Sequence, residues 1–269
     1  MTVDHYALIF LESDQVLYTV FRSAGRVALP IACCLLVLGY QKTKSRRKYV
    51  IRLGAVGLIS EVFWLFLYVK RQEACLKVIQ DAYEASGSAL KMEEWYQELP
   101  PETMMSYWNG MIPLFNVMFT LLACILMMKL FDLIKRKVGP MQVKKPLHNF
   151  ACMMFYGLAI FGIVVLLVLV KADYSLMAPL LVANFYFFFD EKPTMILIMV
   201  FIIIFQALES PWMMIGMAVS VLLVWKYNGK LGYEKKPWVK WIFYVYYPLH
   251  LSVLVWIRYF DELCQIYFK

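Results

Sequence analysis

The chain has 269 residues, 62% of them hydrophobic and 17% charged, with a formal net charge of +8 and a mean hydropathy of +0.63. That leaves too little polar surface to coat a water-soluble globule, so lipid is the expected solvent and a single membrane domain over 1–269 the expected organisation. Nucleic acid is excluded as the reason for the positive charge, because the basic residues fall in short clusters between apolar runs and not on one amphipathic face.

The chain opens on an apolar stretch, 3–11, that begins with Asp4 and His5 and is closed by Glu12 and Asp14. A bilayer core needs about 20 apolar residues, so this stub is too short to cross. It is also too broken by charge for a cleavable signal peptide. Membrane helices are predicted over 27–41, 49–69, 111–134, 150–171, 176–190, 193–208, 211–226 and 237–259. With the stub, this gives an all-α transmembrane bundle of about nine helices whose first helix is shortened. Lys42, Lys44, Arg46, Arg47 and Lys48 follow the first of these spans, and Lys135, Arg136, Lys137, Lys144 and Lys145 follow the third. Lys226, Lys230, Lys235, Lys236 and Lys240 surround the start of the last. If the spans alternate, all three clusters share one side, which the bias of Lys and Arg makes cytoplasmic. The N-terminus is then cytoplasmic and the C-terminus extracytoplasmic. The stretch 71–107 carries Glu73, Asp81, Glu84, Glu93, Glu94, Glu98 and Glu102 and is expected as an extracytoplasmic acidic loop, with Trp95, Tyr96, Tyr107 and Trp108 at the interface. The cysteines show neither CxxC pairing nor metal-ligand spacing with the histidines, so no metal and no disulfide are expected. They suit buried positions as small hydrophobes.

An ionisable group in a membrane helix costs about 2.5–3.5 kcal/mol on insertion scales, which makes each one a functional candidate. Asp4 with His5, Arg22 with Arg26, Arg52, Glu61, Asp173 and His250 lie within or at the ends of apolar spans. In the alternating topology Asp4, His5, Arg26, Asp173 and His250 fall towards the outer half of the bilayer, where they can converge. Arg22 and Arg26 are one helical turn apart, a spacing suited to two-point capture of a phosphate or carboxylate. Interfacial snorkelling is the competing reading. His250 follows Pro248 in FYVYYPLHL, with Tyr246 and Tyr247 on its own helical face. A neutral imidazole there has the chemistry of a general base, taking a proton from an amine or hydroxyl near pH 7. The alternative is a hydrogen-bonded packing histidine. Asp4 and His5 are adjacent and point about 100° apart on a helix, so each needs a separate partner. Glu61 is open to a functional contact or to an ion pair with an arginine. In the turn Lys226-Tyr-Asn-Gly-Lys230, Gly229 permits a tight bend and the lysines can meet phosphates, although short basic loops usually only set topology. No Walker loop, GxGxxG or HExxH is present.

The opening VDHYALIF, then FRSAGRVALPIACCLLVLGYQKTKSRRKYVIRLGAVGLISE, NVMFTL at 116–121, ADY at 172–174, and KYNGKLG followed by FYVYYPLHL together resemble the TraX family in order and spacing along nearly the whole chain. That family comprises bacterial inner-membrane proteins, the best known of which acetylates the N-terminus of conjugative pilin, and it is similar to the larger acyltransferase-3 group. The resemblance implies acyl transfer, with acetyl-CoA or a related thioester as co-substrate and no permanently bound cofactor. The implied acceptor is extracytoplasmic: a pilin-like peptide, a glycan or a lipid head group. Under this resemblance His5, His250, Asp4 and Arg26 are the catalytic candidates. Asn228, Lys230 and Arg22 are candidates for holding the donor, and Tyr247, Asp173 and Glu61 for contacting substrate. The chain departs from the pattern in having only three residues before Asp4, where family members carry further apolar residues, and in the 71–107 stretch, which looks like an insertion. Two other classes compete. A transporter or flippase would line its path with the same buried charges, and a non-catalytic membrane component of a conjugation or secretion system would need none of them for chemistry.

Overall fold

The computed structural model describes residues 1–11, 15–87, 112–139, 146–207, 211–229 and 238–267. The fold is built from helices: α1 (Thr2–Phe10), α2 (Val16–Gly25), α3 (Ala28–Lys42), α4 (Arg46–Ser86), α5 (Val117–Lys137), α6 (Pro146–Leu169), α7 (Met177–Phe188), α8 (Lys192–Ala207), α9 (Pro211–Lys226) and α10 (Val239–Tyr267). Arg26 and Val27 between α2 and α3 keep right-handed helical backbone. Val16–Lys42 therefore acts as one apolar rod of 27 residues. This rod, α4, α5 and α6 are each long and apolar enough to cross a bilayer. The helices α7, α8 and α9 have 12, 16 and 16 residues. At 1.5 Å per residue they reach roughly 18–24 Å, short of the ~30 Å hydrocarbon core.

Two boundaries differ from the sequence expectation. The span predicted to start at 27 begins already at Val16, because Arg22 finds a carboxylate partner and need not lie in an interface. The span predicted at 49–69 runs on as a 41-residue helix to Ser86, so the first part of the supposed acidic loop is helical. No Gly or Pro interrupts 70–86. Lys70 pairs with Glu73 at 3.3 Å and Gln80 donates to Glu84 at 3.0 Å, both at helical spacing. Gly87, in left-handed backbone, ends the helix. At about 60 Å, α4 is twice as long as a bilayer core is thick, so one end projects beyond it. Residues 88–107 of that stretch, including Trp95, Tyr96 and Tyr107, lie outside the described residues.

The basic clusters gather at one end of the bundle. Lys42 Nζ donates to the Gly229 carbonyl at 2.6 Å, Arg46 pairs with Asp132, and Lys192 Nζ donates to the carbonyls of Trp225 and Tyr227 at 3.2 and 2.9 Å. These bonds join the C-terminal ends of α3, α5 and α9 to the N-terminal ends of α4 and α8, as alternating spans require. At the far end the 112–116 segment is bonded to the turn after α6: Leu114 N–H donates to the Lys171 carbonyl at 2.9 Å and Asp173 N–H to the Phe115 carbonyl at 3.0 Å.

Buried polar groups fix helix contacts. Asn116 caps α5, its Oδ1 accepting from Met118 N–H at 2.8 Å, while its Nδ2 donates to Glu61 Oε2 at 2.6 Å. Glu61 therefore takes an amide partner and not the arginine that the sequence suggested: the start of α5 packs on α4 and its uncapped N–H groups need an acceptor there. Cys33, Cys34, Cys75, Cys124 and Cys152 are free and buried.

Ser23 Oγ donates to the Trp212 carbonyl at 2.7 Å and accepts from Gly216 N–H at 3.2 Å, which draws α2 onto α9. A Cβ on Gly216 would run into the Ser23 backbone carbonyl. Gly216→Ala is expected to lower the unfolding free energy in detergent by ~1–3 kcal/mol, the usual cost of overpacking. Gly157→Ala, where a Cβ meets nothing within 4 Å, should leave the thermal midpoint unchanged or raise it through helix propensity. Equal midpoints for the two variants would show that α2 and α9 are not held at this contact.

Candidate active site

The site begins with α1, which doubles back along α2. Tyr6 lies 6.1 Å from Phe21, ring to ring, and Asp4 sits against Gly25, where a Cβ would overlap the Asp4 side chain. The other face of α1 meets α10. Thr2 Oγ1 is hydrogen-bonded to the Tyr246 hydroxyl, and His5 Nδ1 lies 2.7 Å from His250 Nε2. The two imidazoles are parallel within 3°, their centroids 5.0 Å apart, and both are buried. Trp64 of α4 stands 5.8 Å from the His5 ring, and Tyr247 sits edge-on at 6.1 Å from His5 and 5.3 Å from His250. The roughly 100° between successive side chains on α1 thus sends Asp4 to α2 and His5 to α10.

Hydrogen bonding fixes the tautomers of the neutral pair. His250 Nδ1 lies 2.8 Å from the Tyr246 carbonyl, which can only accept, so this nitrogen carries a hydrogen. In a neutral ring Nε2 is then the acceptor, and His5 Nδ1–H donates to it. His5 Nε2 is left with the lone pair. A proton arriving at His5 Nε2 can be matched by transfer of the Nδ1 proton to His250, so the positive charge settles next to the Tyr246 carbonyl.

Beside the imidazoles, Asp4 Oδ2 pairs with Arg22 Nη1 at 2.8 Å, while Asp4 Oδ1 is buried without a hydrogen-bond partner. One turn on, Arg26 bonds to the Tyr174 hydroxyl and lies 4.9 Å from the ring centroid. Tyr174 and Lys171 have φ of 53°, a left-handed conformation unusual for residues other than glycine. Strain of that kind collects where a side chain must be aimed; here it puts the tyrosine on the arginine. The Asp173 carbonyl is held by Thr120 Oγ1 at 2.5 Å. Burial pushes the Asp173 carboxyl, in the turn between α6 and α7, up to about 6, with Arg26 and Arg22 pulling the other way. A cavity of about 300 Å³ opens here, lined by Arg26, Asp173, Tyr174, Pro113, Phe205 and Met217.

Of the residues singled out in the sequence, Asp4, His5, Arg22, Arg26, Asp173, Tyr247 and His250 belong to this one region. Glu61 is bound to Asn116 and lines neither that cavity nor the one at the basic end. Asn228 adjoins the Gly229 turn at the basic end, away from Arg22, which pairs with Asp4 instead. Lys230 lies outside the described residues. Arg52 faces the Tyr244 ring at 5.8 Å. Sequence reasoning passed over Trp64, Tyr174 and the Asp132 network of the basic end. Asp132 is the one acid in α5, and its place just before Lys135-Arg-Lys137 disguised it as an ordinary helix-end charge.

A short first helix and a long last one therefore meet inside a membrane bundle through two bonded imidazoles, beside arginines and a polar cavity. That is the architecture of a polytopic membrane protein with a reactive or ligand-binding interior. The chain belongs to the TraX family: the family's profile, described as TraX protein, matches residues 1–77 and 101–258. It is also similar to the probable fimbrial assembly protein FimC, serogroup H1, of Dichelobacter nodosus, at 34% identity over 79 residues. Those residues are 29% of this chain and 32% of that relative, so the likeness spans about a third of its length. No solved structure matches.

Proposed function

We propose that the protein is a membrane-bound acyltransferase, moving an acetyl or similar group from acetyl-CoA or a related thioester to an amine or hydroxyl on the extracytoplasmic side. The observation that carries this reading is the 2.7 Å bond between His5 Nδ1 and His250 Nε2, which leaves His5 Nε2 as a buried base. In the proposed step the acceptor N–H or O–H gives its proton to His5 Nε2 as the nucleophile attacks the thioester carbonyl carbon. The Arg26 guanidinium steadies the developing oxyanion. Collapse of the tetrahedral species breaks the C–S bond, and the thiolate takes the proton back from His5 Nε2. Atoms and charge balance with thiol and acylated acceptor as products.

In this scheme the basic end is the cytoplasmic face of a bacterial inner membrane, and the far-end cavity beside Arg26 receives the acceptor. Similarity to a protein named for fimbrial assembly supports a pilin-like N-terminus as acceptor, ahead of a glycan or lipid head group. Purified protein in detergent, given acetyl-CoA labelled in the acetyl group and a pilin-like peptide, is expected to release free thiol and label the peptide. A second reading is favoured by the polar cavities at both ends of one bundle, of about 300 and 350 Å³: a path for a small anion or lipid. Anion uptake into proteoliposomes without thiol release would select that reading and end the first.

A further inference from the structure

At the basic end, away from the histidine pair, three helices and the start of α4 meet around Asp132. Tyr40 Oη donates to Asp132 Oδ2 at 2.7 Å and Tyr186 Oη to Oδ1 at 2.5 Å. Arg46 Nη1 also donates to Oδ2, and its guanidinium carbon lies 4.3 Å from the Tyr40 ring centroid. Three donors fill this carboxylate, so it is not a free site for a cation. Its effect is to hold the Arg46 guanidinium in place between a carboxylate and an aromatic face, with one nitrogen committed to Asp132.

Next to the network is a cavity of about 350 Å³, lined by Tyr40, Arg46, Asp132, Lys135, Tyr156 and Tyr186. Two cations against one carboxylate leave a positive surplus. Lys135 makes no ion pair among the described residues. Lys42, Arg47, Lys48, Arg136 and Lys137 stand around the same helix ends and add to the field. A fixed guanidinium, an unpaired ammonium and aromatic walls form a receptor for a phosphate group with an apolar body attached. Tyr156 belongs to α6, the least buried of the four long apolar helices, so the cavity adjoins a lipid-facing flank.

We propose that this pocket binds a phosphate group at the basic end of the bundle, carried in the membrane by an anionic phospholipid headgroup. Basic pockets between membrane helices recognise such headgroups by this combination of charge and position. The site is separate from the proposed acyl-transfer chemistry and does not depend on it.

Native mass spectrometry of the full chain, loaded with phosphatidylglycerol or phosphatidylcholine, tests this, alongside thermal unfolding in detergent with either lipid or with inorganic pyrophosphate. Phosphatidylglycerol should be retained selectively and should raise the thermal midpoint. Lys135→Gln should weaken retention about fivefold. Arg46→Gln should weaken it further but also removes a donor from Asp132, whereas Lys135→Gln breaks no internal bond and keeps the test interpretable. Stabilisation by pyrophosphate that Lys135→Gln removes, without a response to the lipid, would keep the phosphate site and assign it a soluble ligand. The proposal is overturned if neither probe binds, or if phosphatidylglycerol binds equally well to the wild type and to Lys135→Gln.

Discussion

His5→Ala is expected to insert and fold normally while losing acetyl transfer by ~10²–10⁴-fold, the range a positioned general base contributes. Because His250 Nδ1–H is committed to the Tyr246 carbonyl, the lone pair available to substrate is on His5 Nε2, and His250 acts one step behind it. That order separates the two histidines experimentally. His250→Gln supplies a carbonyl that can still accept the His5 Nδ1–H and hold the ring, but it cannot take up the proton. Its loss should be roughly tenfold smaller than that of His5→Ala, in proportion to orientation kept and relay lost. His250→Leu removes the acceptor as well and should fall between. Thiol release from acetyl-CoA measures all three, with monodispersity and thermal midpoint as the check on folding. Full turnover by His5→Ala, or a larger defect in His250→Gln than in His5→Ala, would falsify the relay as drawn.

The sequence made the apolar spans, the alternation of basic clusters and the intramembrane charges legible because each is a local property. Hydropathy marks lipid contact, and a charge in an apolar run stands out one residue at a time. Partnership is different. His5 and His250 are separated by 245 positions, and nothing near either residue announces the other. The 100° offset on α1 told that Asp4 and His5 needed two partners without saying which. Glu61 invited an arginine because charge was the only cue, whereas the fold offered it the capping amide of Asn116. The continuation of α4 left a weaker trace: Cys75 and Ile79, four apart and both buried, mark a covered helical face beyond the point where apolar density drops. Asp132 was present in the sequence as a lone acid within an apolar run, but the lysines and arginine after it drew it into the helix-end pattern.

Arg22→Met is expected to destabilise the protein by about 3–5 kcal/mol, the cost of stranding one partner of a buried ion pair. Asp4 and Arg22 side chains are only 9% and 16% exposed. Asp4 Oδ1 and Arg22 Nε are already without hydrogen-bond partners, so removing Arg22 leaves a carboxylate with nothing to offset its desolvation. Asp4→Asn should cost less, since an amide carries no charge and can still accept from the guanidinium. In the double variant Asp4→Leu/Arg22→Met both charges are gone, and most of the lost stability should return, because an apolar pair at such a site is often as stable as the ions it replaces. Unfolding in mixed micelles measures these differences. Arg26→Met provides the contrast: it removes the partner of the Tyr174 hydroxyl and a charge from the far-end cavity, with no ion-paired carboxylate left behind. Its defect should therefore be in acyl transfer, with a stability loss nearer the ~1 kcal/mol of an ordinary hydrogen bond. If the double variant proves no more stable than Arg22→Met, the Asp4–Arg22 pair is not what holds α1 on α2, and the position of His5 must be set by α10 alone.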